Sequence, residues 1–460
     1  MFVFKRLLLS LTLAAAAVAA SAGSSGAMPQ AFRGDPALRP MVTGIPRLPL
    51  RLPAKKSHGK IKHVVIIMQE NRSFDDLFQG YPGANTQSYG YDSRNDKVTL
   101  APIPLEAPYD LNHDFDSFIT DCNGTGSIPG TNCKNNGFNN EYTGCGRSCV
   151  DPQYGYVPAS ETTTYFDMAG QYVLADNMYT SQADDSFISH QYIISAQANS
   201  SVEFPRGSWG CGGGPSNTIT ILNSNRTFGN QQPMCWDVTT LGDELDTAGL
   251  PWRFYATNVN GYDGSGLWSA YQNIHHIYYG KDWANVVNPQ SKIITDVANG
   301  SLAAVTWVTP TFANSDHSGF GSNTGPQWVA SVVNAIGKSK YWKSTAIFVF
   351  WDEWGGWYDH VPPVYEDYDG LGFRVPLLII SPYAKQNYVS HVQYEHGSML
   401  RFAEDEFGLP QMSASDTRAN SPAADAFDFT QKPRPFKSFS APRVQVHNGS
   451  PYLPRGVDPD

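Results

Sequence analysis

The sequence predicts an α/β fold built on a mostly parallel central sheet, with helices on both faces. Several short segments are apolar throughout, which is typical of strands that are buried on both faces. Helical segments alternate with these strands along the chain, and this alternation favours parallel pairing. Long stretches rich in Gly, Asn, Ser and Pro interrupt the pattern and indicate loop-rich, disulfide-containing insertions.

The predicted elements start at residue 62. Expected strands cover 62–68, 172–176, 252–257, 302–308, 345–351 and 375–381. Expected helices cover 185–199, 239–248, 326–337 and 396–407. Asp184 or Asp185 could cap the first of these helices, which begins near Ser186.

The chain begins with the pattern of a signal peptide over residues 1–22. Lys5 and Arg6 precede an apolar run, and Ala20-Ser21-Ala22 is a small-residue cleavage site. The apolar run is short for a transmembrane helix, and no later stretch approaches membrane-spanning length. We therefore expect a secreted or periplasmic protein with no transmembrane segment.

The rest of the chain divides by composition. Residues 23–57 are expected to be a flexible N-terminal segment, and 58–412 the main domain. Insertions are expected at about 84–160 and 200–236, and 413–460 is expected to be a Pro-, Ala- and Ser-rich tail packed on the domain.

Six cysteines in an exported chain favour disulfides. The most local pairing is Cys122–Cys133, Cys145–Cys149 and Cys211–Cys235, one of several possible connectivities. A zinc site is the alternative, but no paired C-x2-C spacing supports it.

The charge balance is acidic. Without Lys5 and Arg6, the mature chain has 30 basic and 42 acidic residues, a net charge of −12. This balance argues against nucleic acid or an anionic membrane as the main partner. Charged residues make up only 16% of the chain and aromatic residues 13%, which fits a large exported hydrolase with a polar, weakly charged surface.

Polar groups recur where predicted strands end. Glu70 and Asn71 end one strand, Asp352 and Glu353 end another, and an Asp-His pair at 316–317 follows a third. Parallel strands would bring these groups to one edge of the sheet, where ligands bind. Gathered carboxylates repel one another unless a cation neutralises them, so a divalent metal site is expected. Oxygen ligands favour Ca²⁺, Mg²⁺ or Mn²⁺, and Fe or Zn remains possible.

Ser186 is expected at the N-terminus of a helix, a position that attracts phosphate. A nearby metal could turn its hydroxyl into a nucleophile. Each feature also has a plain structural reading: a solvated turn at Glu70, an N-cap at Ser186, and a packed histidine at His190. The coincidence of three strand ends and one helix start favours chemistry.

Several motifs resemble the bacterial phosphoesterase family, in order over roughly residues 60–410. Its members include exported phospholipases C and an acid phosphatase, and its fold is alkaline-phosphatase-like. Residues 63–78, with the core Glu-Asn-Arg-Ser-Phe-Asp, resemble the opening motif, and 352–363 resemble the second hallmark. Residues 372–376 and 394–396 match later segments. Residues 186–192 are similar to the acid-phosphatase branch at the nucleophilic serine.

The resemblance implies roles for individual residues of a phosphoesterase catalytic domain. The implied metal-and-nucleophile set is Glu70, Asn71, Ser186, Asp352 and Glu353. The implied catalytic histidines are His113, His276 and His317, and these line the substrate pocket together with His275. The implied reaction proceeds through a metal-activated Ser186 and a phosphoserine. Histidines that must be cationic would favour acidic pH.

The leading functional prediction is an exported metal-dependent acid phosphatase acting on a small phosphoester. The nearest alternative is a phospholipase C that recognises a phospholipid head group. Large phospholipases C of the family have further C-terminal domains, and this chain stops soon after the last match, which favours the phosphatase. A non-catalytic surface-binding protein is the second alternative, suggested by the aromatic residues and Asn/Gly-rich loops.

Overall fold

The computed structural model describes residues 51–145, 149–205, 209–257, 267–319 and 324–440. The predicted signal peptide, most of the N-terminal segment and the last part of the predicted tail lie outside these ranges. Within them, no helix combines the length and the apolar content needed to cross a bilayer.

The strands and helices alternate along most of the chain. The strands are β1 (His63–Gln69), β2 (Tyr89–Tyr91), β3 (Lys97–Thr99), β4 (Ala101–Pro102), β5 (Gly155–Tyr156), β6 (Val173–Ala175), β7 (Ser201–Val202), β8 (Thr218–Leu222), β9 (Phe228–Pro233), β10 (Trp252–Tyr255), β11 (Val286–Val287), β12 (Val305–Val308), β13 (Thr345–Trp351), β14 (Leu377–Ile380) and β15 (Tyr388–Ser390). The α-helices are α1 (Phe74–Phe78), α2 (Phe115–Cys122), α3 (Thr163–Gln171), α4 (Ser186–Ser195), α5 (Leu241–Thr247), α6 (His275–Tyr278), α7 (Lys292–Asn299), α8 (Gly325–Gly337), α9 (Gly397–Phe407) and α10 (Ala414–Arg418).

A central sheet of eight strands has the order β11-β10-β12-β1-β13-β14-β6-β15. Among the described residues, β14 is the one strand of this sheet that runs against the others. The predicted α/β class and the mostly parallel sheet are therefore confirmed. The six strands predicted from apolar runs are all present: β13 has the predicted bounds, and the other five are shortened or shifted by a few residues.

Helices cover both faces of this sheet. Successive side chains of a strand point to opposite faces, so Phe348 and Trp351 of β13 face in opposite directions. The Phe348 ring packs against Phe402 of α9, with ring centroids 5.0 Å apart. The Trp351 ring packs against Tyr165 of α3 at the same separation, 5.0 Å. The prediction of helices on both faces is confirmed.

The register of the central strands aligns their carboxyl ends. β1 lies between β12 and β13, and Gln69 at the end of β1 is paired with Trp351 at the end of β13. The next residues, Glu70 and Asp352, therefore leave the sheet side by side. The apolar runs of both strands are fully buried, so the position of these polar residues is fixed by the core.

The two insertions are more ordered than the sequence predicts. Residues 200–236, expected to be loops, contain the antiparallel sheet β7-β8-β9. Its strand Thr218–Leu222 alternates Thr and Ile, a short signal hidden between Gly- and Asn-rich neighbours. Residues 84–160 contain α2 and four short strands. Both insertions are loop-rich, as predicted, but they also contain these short strands and one α-helix.

The three disulfides join the cysteines that are nearest in sequence. They are Cys122–Cys133, Cys145–Cys149 and Cys211–Cys235. This pairing is the predicted one, and it confirms that the insertions contain disulfides.

Candidate active site

The ends of β1 and β13 are tied together by backbone groups. The Asn71 N–H donates to Asp352 Oδ1 at 2.8 Å. The Asp352 N–H donates to the Gln69 carbonyl at 2.9 Å. Asn71 has a φ of +57°, a left-handed conformation that asparagine tolerates better than most residues. The two strand ends therefore form one compact unit, which carries Glu70, Asn71 and Asp352.

Ser186 lies at the start of α4, where the sequence predicts it. The helix is capped by Asp185, whose carboxylate accepts from the Ile188 N–H at 3.4 Å. The Ser186 hydroxyl donates to Asn71 Oδ1 at 3.3 Å. Further along α4, the Ser189 hydroxyl donates to the Asp352 carbonyl at 2.9 Å. The helix N-terminus is therefore joined to the ends of both strands.

His113 reaches the same place from the first insertion. Asn71 Nδ2 lies 2.9 Å from His113 Nε2, and His113 Nδ1 lies 2.6 Å from the Leu111 carbonyl. These contacts suit a neutral ring that donates from Nδ1 and accepts at Nε2. Burial lowers the pKa of His113 to about 4, which agrees with a neutral ring.

The residues described so far, together with Glu353 and His317, are here called the cluster. Glu353 Oε1 is 3.9 Å from His113 Nε2, and the Gly355 N–H donates to the other carboxylate oxygen at 2.6 Å. The His317 ring stands edge-on to His113 with ring centroids 5.7 Å apart. His317 Nδ1 lies 2.7 Å from the Ser318 carbonyl, which sets the direction of the ring.

Asp316, part of the Asp-His pair expected at the sheet edge, lies behind the cluster. Its Oδ2 accepts from the Tyr165 hydroxyl at 2.6 Å and from Gln69 Nε2 at 3.3 Å. The Arg72 Nε–H donates to the Asp316 carbonyl at 2.9 Å. Asp316 therefore supports the backbone that presents His317.

Three carboxylates of the cluster are completely buried: Glu70, Asp352 and Glu353. Burial raises the pKa of Glu70 to about 8. Burial and the charge of Glu70 hold the pKa of Asp352 well above its usual range. Burial and the charge of Asp352 do the same for the pKa of Glu353. Clustered acids in a dry site are costly to ionise without a compensating cation.

Each of these carboxylates has one oxygen without a hydrogen bond from any described group. These oxygens are Glu70 Oε2, Asp352 Oδ2 and Glu353 Oε1. A buried acceptor without a donor is rare in folded proteins unless water or an ion fills the place.

His190 is a candidate site residue that the sequence interpretation missed. Its Nε2 lies 3.0 Å from Glu70 Oε1, and its ring stacks on Trp268 with centroids 6.2 Å apart. Glu70, His190 and Asp352 each offer a ligand atom within 4.8 Å of the other two. The expectation that His190 only packs within its helix was wrong. Its spacing of four residues from Ser186, which places both on one face of α4, was the available signal.

His275 and His276 are not brought to this cluster. They begin α6 at the surface, with side chains 56% and 40% exposed. The two ring nitrogens of His276 each lie 2.7 Å from a carboxylate oxygen, one of Asp237 and one of Asp243. His275 Nδ1 lies 3.6 Å from Asp237. The predictions that His276 is catalytic and that both histidines line the substrate pocket are therefore corrected: these rings are held by surface carboxylates.

A second acidic group, near the main cluster in sequence, is an ion-pair network. Arg374 donates to both oxygens of Asp359, at 2.8 and 3.0 Å. Asp75 Oδ2 lies 2.5 Å from His360 Nδ1 and accepts from the His360 N–H at 2.9 Å. Because these carboxylates already accept from strong donors, we assign this group to ion pairing and not to a metal site.

Comparison with known proteins adds a family and a set of relatives. The sequence model of the Phosphoesterase family matches residues 61–410. Phospholipase C B of Mycobacterium tuberculosis is 25% identical, and the match covers 86% of this chain and 83% of that protein. Hemolytic phospholipase C of Pseudomonas aeruginosa is also 25% identical, over 88% of this chain and 59% of that protein. Non-specific phospholipase C1 of Arabidopsis thaliana is 22% identical, over 77% of this chain and 68% of that protein.

Solved structures are more distant. A protein of the alkaline phosphatase superfamily from Vibrio parahaemolyticus aligns with a TM-score of 0.37 and 12% identity, over 84% of this chain and 76% of that chain. A sulfatase from Pseudoalteromonas sp. aligns with a TM-score of 0.38 and 9% identity, over 84% of this chain and 76% of that chain.

Proposed function

Because the chain belongs to the Phosphoesterase family, we propose that the cluster around Ser186 is the site at which it hydrolyses phosphoric esters. Family membership and the phospholipase C relatives make the chain a hydrolase of this bond type. A purely non-catalytic binding role is therefore set aside. The observation that carries the assignment is the Ser186 hydroxyl, which lies at a helix N-terminus, bonded to Asn71 and surrounded by buried carboxylates.

The donor set fits a divalent cation. Three buried carboxylate oxygens have no hydrogen bond from a described group, and the amide oxygen of Asn71 and the hydroxyl of Ser186 lie beside them. The residues that would hold the ion are Glu70, Asn71, Ser186, Asp352 and Glu353. Oxygen donors favour Ca²⁺, Mg²⁺ or Mn²⁺, while the nitrogen of His190 next to Glu70 keeps Fe and Zn as candidates. Such an ion, when bound, would lower the pKa of the serine hydroxyl and neutralise phosphate charge.

The residues around Ser186 would each have a separate role in the hydrolysis. The amides of the first turn of α4 and the helix dipole would bind phosphate oxygens next to Ser186. Ser186 Oγ would attack phosphorus opposite the leaving alcohol and form a phosphoserine, which water then cleaves to restore the serine. His113 and His317, edge-on to each other, would contact the substrate oxygens. Prior alignment of these groups supplies much of the rate.

For the substrate, we place a phospholipid and C-type cleavage first. The match to Phospholipase C B covers 83% of that relative, so chain length no longer favours a phosphatase. An acid phosphatase acting on small monoesters stays the second candidate, because residues 186–192 are similar to that branch. Rates on p-nitrophenyl phosphorylcholine and p-nitrophenyl phosphate separate the two: a phospholipase C prefers the diester, and a phosphatase prefers the monoester.

The test of the site is Ser186→Ala. Loss of the nucleophile should lower kcat at least about a thousandfold on whichever substrate the wild-type protein cleaves. Ser195→Ala is the matched control, since that hydroxyl lies on the same helix and its hydrogen bonds within the described part of the chain go to the Gln191 and Gln197 carbonyls. A purified, folded Ser186→Ala protein with the wild-type rate would overturn the assignment.

Export is part of the proposal. The leader-like residues 1–22 and the three disulfides both suit an oxidising compartment outside the cytosol. Sequencing the N-terminus of the mature protein after expression in a bacterial host tests it, with cleavage expected after Ala22.

A further inference from the structure

The backbone that leads into Ser186 is a buried loop, residues 180–185, here called the nucleophile loop. It contains no regular secondary structure, yet all its residues are buried. Because Ser186 follows it directly, the position of the Ser186 hydroxyl depends on whatever holds this loop.

Glu395, just before α9, contacts one side of the nucleophile loop; this side is here called its first wall. The Ser181 hydroxyl donates to Glu395 Oε2 at 2.8 Å. The Ser181 N–H lies 3.5 Å from His396 Nδ1, and the Gly397 N–H donates to the Ser181 hydroxyl at 3.4 Å. Ser181 is thus held through both its backbone and its side chain.

Arg418, the last residue of α10, holds this wall in place. Its guanidinium donates from Nε to Glu395 Oε1 and from Nη2 to Oε2, both at 2.8 Å. The same Nη2 donates to the Ser181 carbonyl at 3.2 Å. The Arg418 side chain is only 10% exposed. A buried bidentate ion pair of this kind has a strict geometry that a lysine does not reproduce.

Ser415 of α10 seals the same contact. Its hydroxyl lies 2.8 Å from the Ser181 hydroxyl and donates to Glu395 Oε2 at 2.8 Å. A Cβ built on Gly397 would lie 2.3 Å from the Ser415 hydroxyl oxygen. Helix α10 therefore lies flush against the start of α9 and leaves no space between them.

Arg418 also reaches the opposite wall of the loop. It forms an ion pair with Asp367, whose Oδ1 accepts from the Asp369 and Gly370 N–H groups at 3.0 and 2.9 Å. The Asp369 carbonyl accepts from the Ala183 N–H at 2.9 Å. A Cβ on Gly370 would lie 2.1 Å from the Ser181 carbonyl oxygen. One guanidinium therefore ties both walls of the nucleophile loop together.

We propose that Arg418 is a positioning residue, which fixes the Ser186 hydroxyl by clamping the nucleophile loop through Glu395, Ser181 and Asp367. The proposal rests on the proposed role of Ser186. It also extends the working site beyond residue 410, where the family match ends, into the segment that the sequence presented as a tail. Among the described residues, the hydrogen bonds of Arg418 go to Glu395, Asp367 and Ser181, so its effect on Ser186 would be on alignment.

The experiment compares kcat and KM of Arg418→Lys and Arg418→Met with wild type. Misalignment of the serine should lower kcat about ten- to a hundredfold in Arg418→Met, with KM changed less than about threefold. Arg418→Lys should recover only part of the rate. The matched control is Arg434→Lys, another arginine of the C-terminal stretch, which bonds the Gln171 and Ala384 carbonyls away from the nucleophile loop. Its kcat should stay near wild type.

A second variant separates alignment from general stability. Arg418→Met leaves the buried Glu395 carboxylate without its partner, so the double variant Glu395→Gln/Arg418→Met should recover the Tm. If Arg418 positions Ser186, kcat stays low although the Tm returns, and amide exchange of residues 180–186 is faster than in wild type. Recovery of kcat together with the Tm would overturn the proposal, as would a normal kcat in Arg418→Met. Ser186→Ala in the same assay keeps the two proposals apart: if it retains activity, the proposed function fails, whatever Arg418 does.

Discussion

His190 Nε2 lies 3.0 Å from Glu70 Oε1, and both side chains are completely buried. The other Glu70 oxygen, Oε2, has no hydrogen bond from a described group. A buried partner of this kind fixes the direction of a metal ligand, and its loss typically weakens metal binding ten- to a hundredfold.

We expect His190→Ala to lower the affinity for the activating cation about tenfold or more, measured by calorimetric titration of the metal-free protein. His190→Gln should recover part of this affinity, because an amide can still donate to Glu70. The control is His391→Ala, since that ring pairs with Asp176 at the surface and is 66% exposed. Equal metal affinity in His190→Ala and wild type would contradict the role.

His113 makes a prediction about pH. Burial lowers its pKa to about 4, so the ring stays neutral across the range in which an ordinary histidine gains its proton. The sequence interpretation linked cationic histidines to an acidic optimum, and the environment of His113 does not support that link. We expect that His113→Asn does not change the shape of the kcat/KM profile near pH 6.5. If wild type shows a step near pH 6.5 and this variant lacks it, the neutral ring is contradicted.

Metal removal should be more damaging at alkaline than at acidic pH. Burial raises the pKa of Glu70 from 4.5 to about 8. In the metal-free protein this acid therefore favours the folded state fully below pH 4.5, and that contribution is lost as the pH rises to about 8. A divalent cation needs the ionised form, so its affinity rises over the same interval. We expect a chelator to lower the Tm more at pH 8 than at pH 5.

Asp352→Asn is the matched variant for this measurement. The charge of Glu70 and burial both hold the pKa of Asp352 high, so the amide removes a repulsion that the metal-free protein cannot relieve. Its metal-free form should melt at a higher temperature than metal-free wild type at pH 8, while the chelator has a smaller effect. An equal chelator effect on wild type at pH 5 and pH 8 would contradict a metal site formed by these carboxylates.

The parts of the site that the sequence predicted follow strongly patterned elements. The unbroken apolar runs of β1 and β13 predicted two buried parallel strands, and these placed Glu70 and Asp352 side by side. Asp185 before an apolar stretch predicted the helix start and therefore Ser186. In each case the signal is local and the tertiary consequence follows from the geometry of a parallel sheet.

The parts that were missed depend on distant contacts. Every residue of α4 is buried, so exposure does not distinguish His190 from the packed residues around it, and its contact with Glu70 spans 120 residues of sequence. His275 and His276 look like a ligand pair, but their positions depend on Asp237, which precedes His276 by 39 residues. Arg418 meets the Ser181 carbonyl across 237 residues. No local pattern encodes such a pairing.

Gly355 offers a steric test of the site. Its φ is +64°, and a Cβ there would lie 2.3 Å from the Asn71 carbonyl oxygen. Gly355→Ala should therefore displace the backbone of Asn71. Because the Asn71 side chain bonds Ser186 and His113, this displacement should lower kcat at least about tenfold. Gly408→Ala is the matched control, because Gly408 has a φ of +72° but nothing within 4 Å of the added carbon. The control should lose only the roughly 1 kcal/mol that a left-handed alanine costs and keep its kcat. Since both variants bear the same backbone strain, a larger loss of kcat in Gly355→Ala isolates the contact with Asn71. Equal kcat values in the two variants would show that the Asn71 turn tolerates displacement, and that Asn71 does not align Ser186.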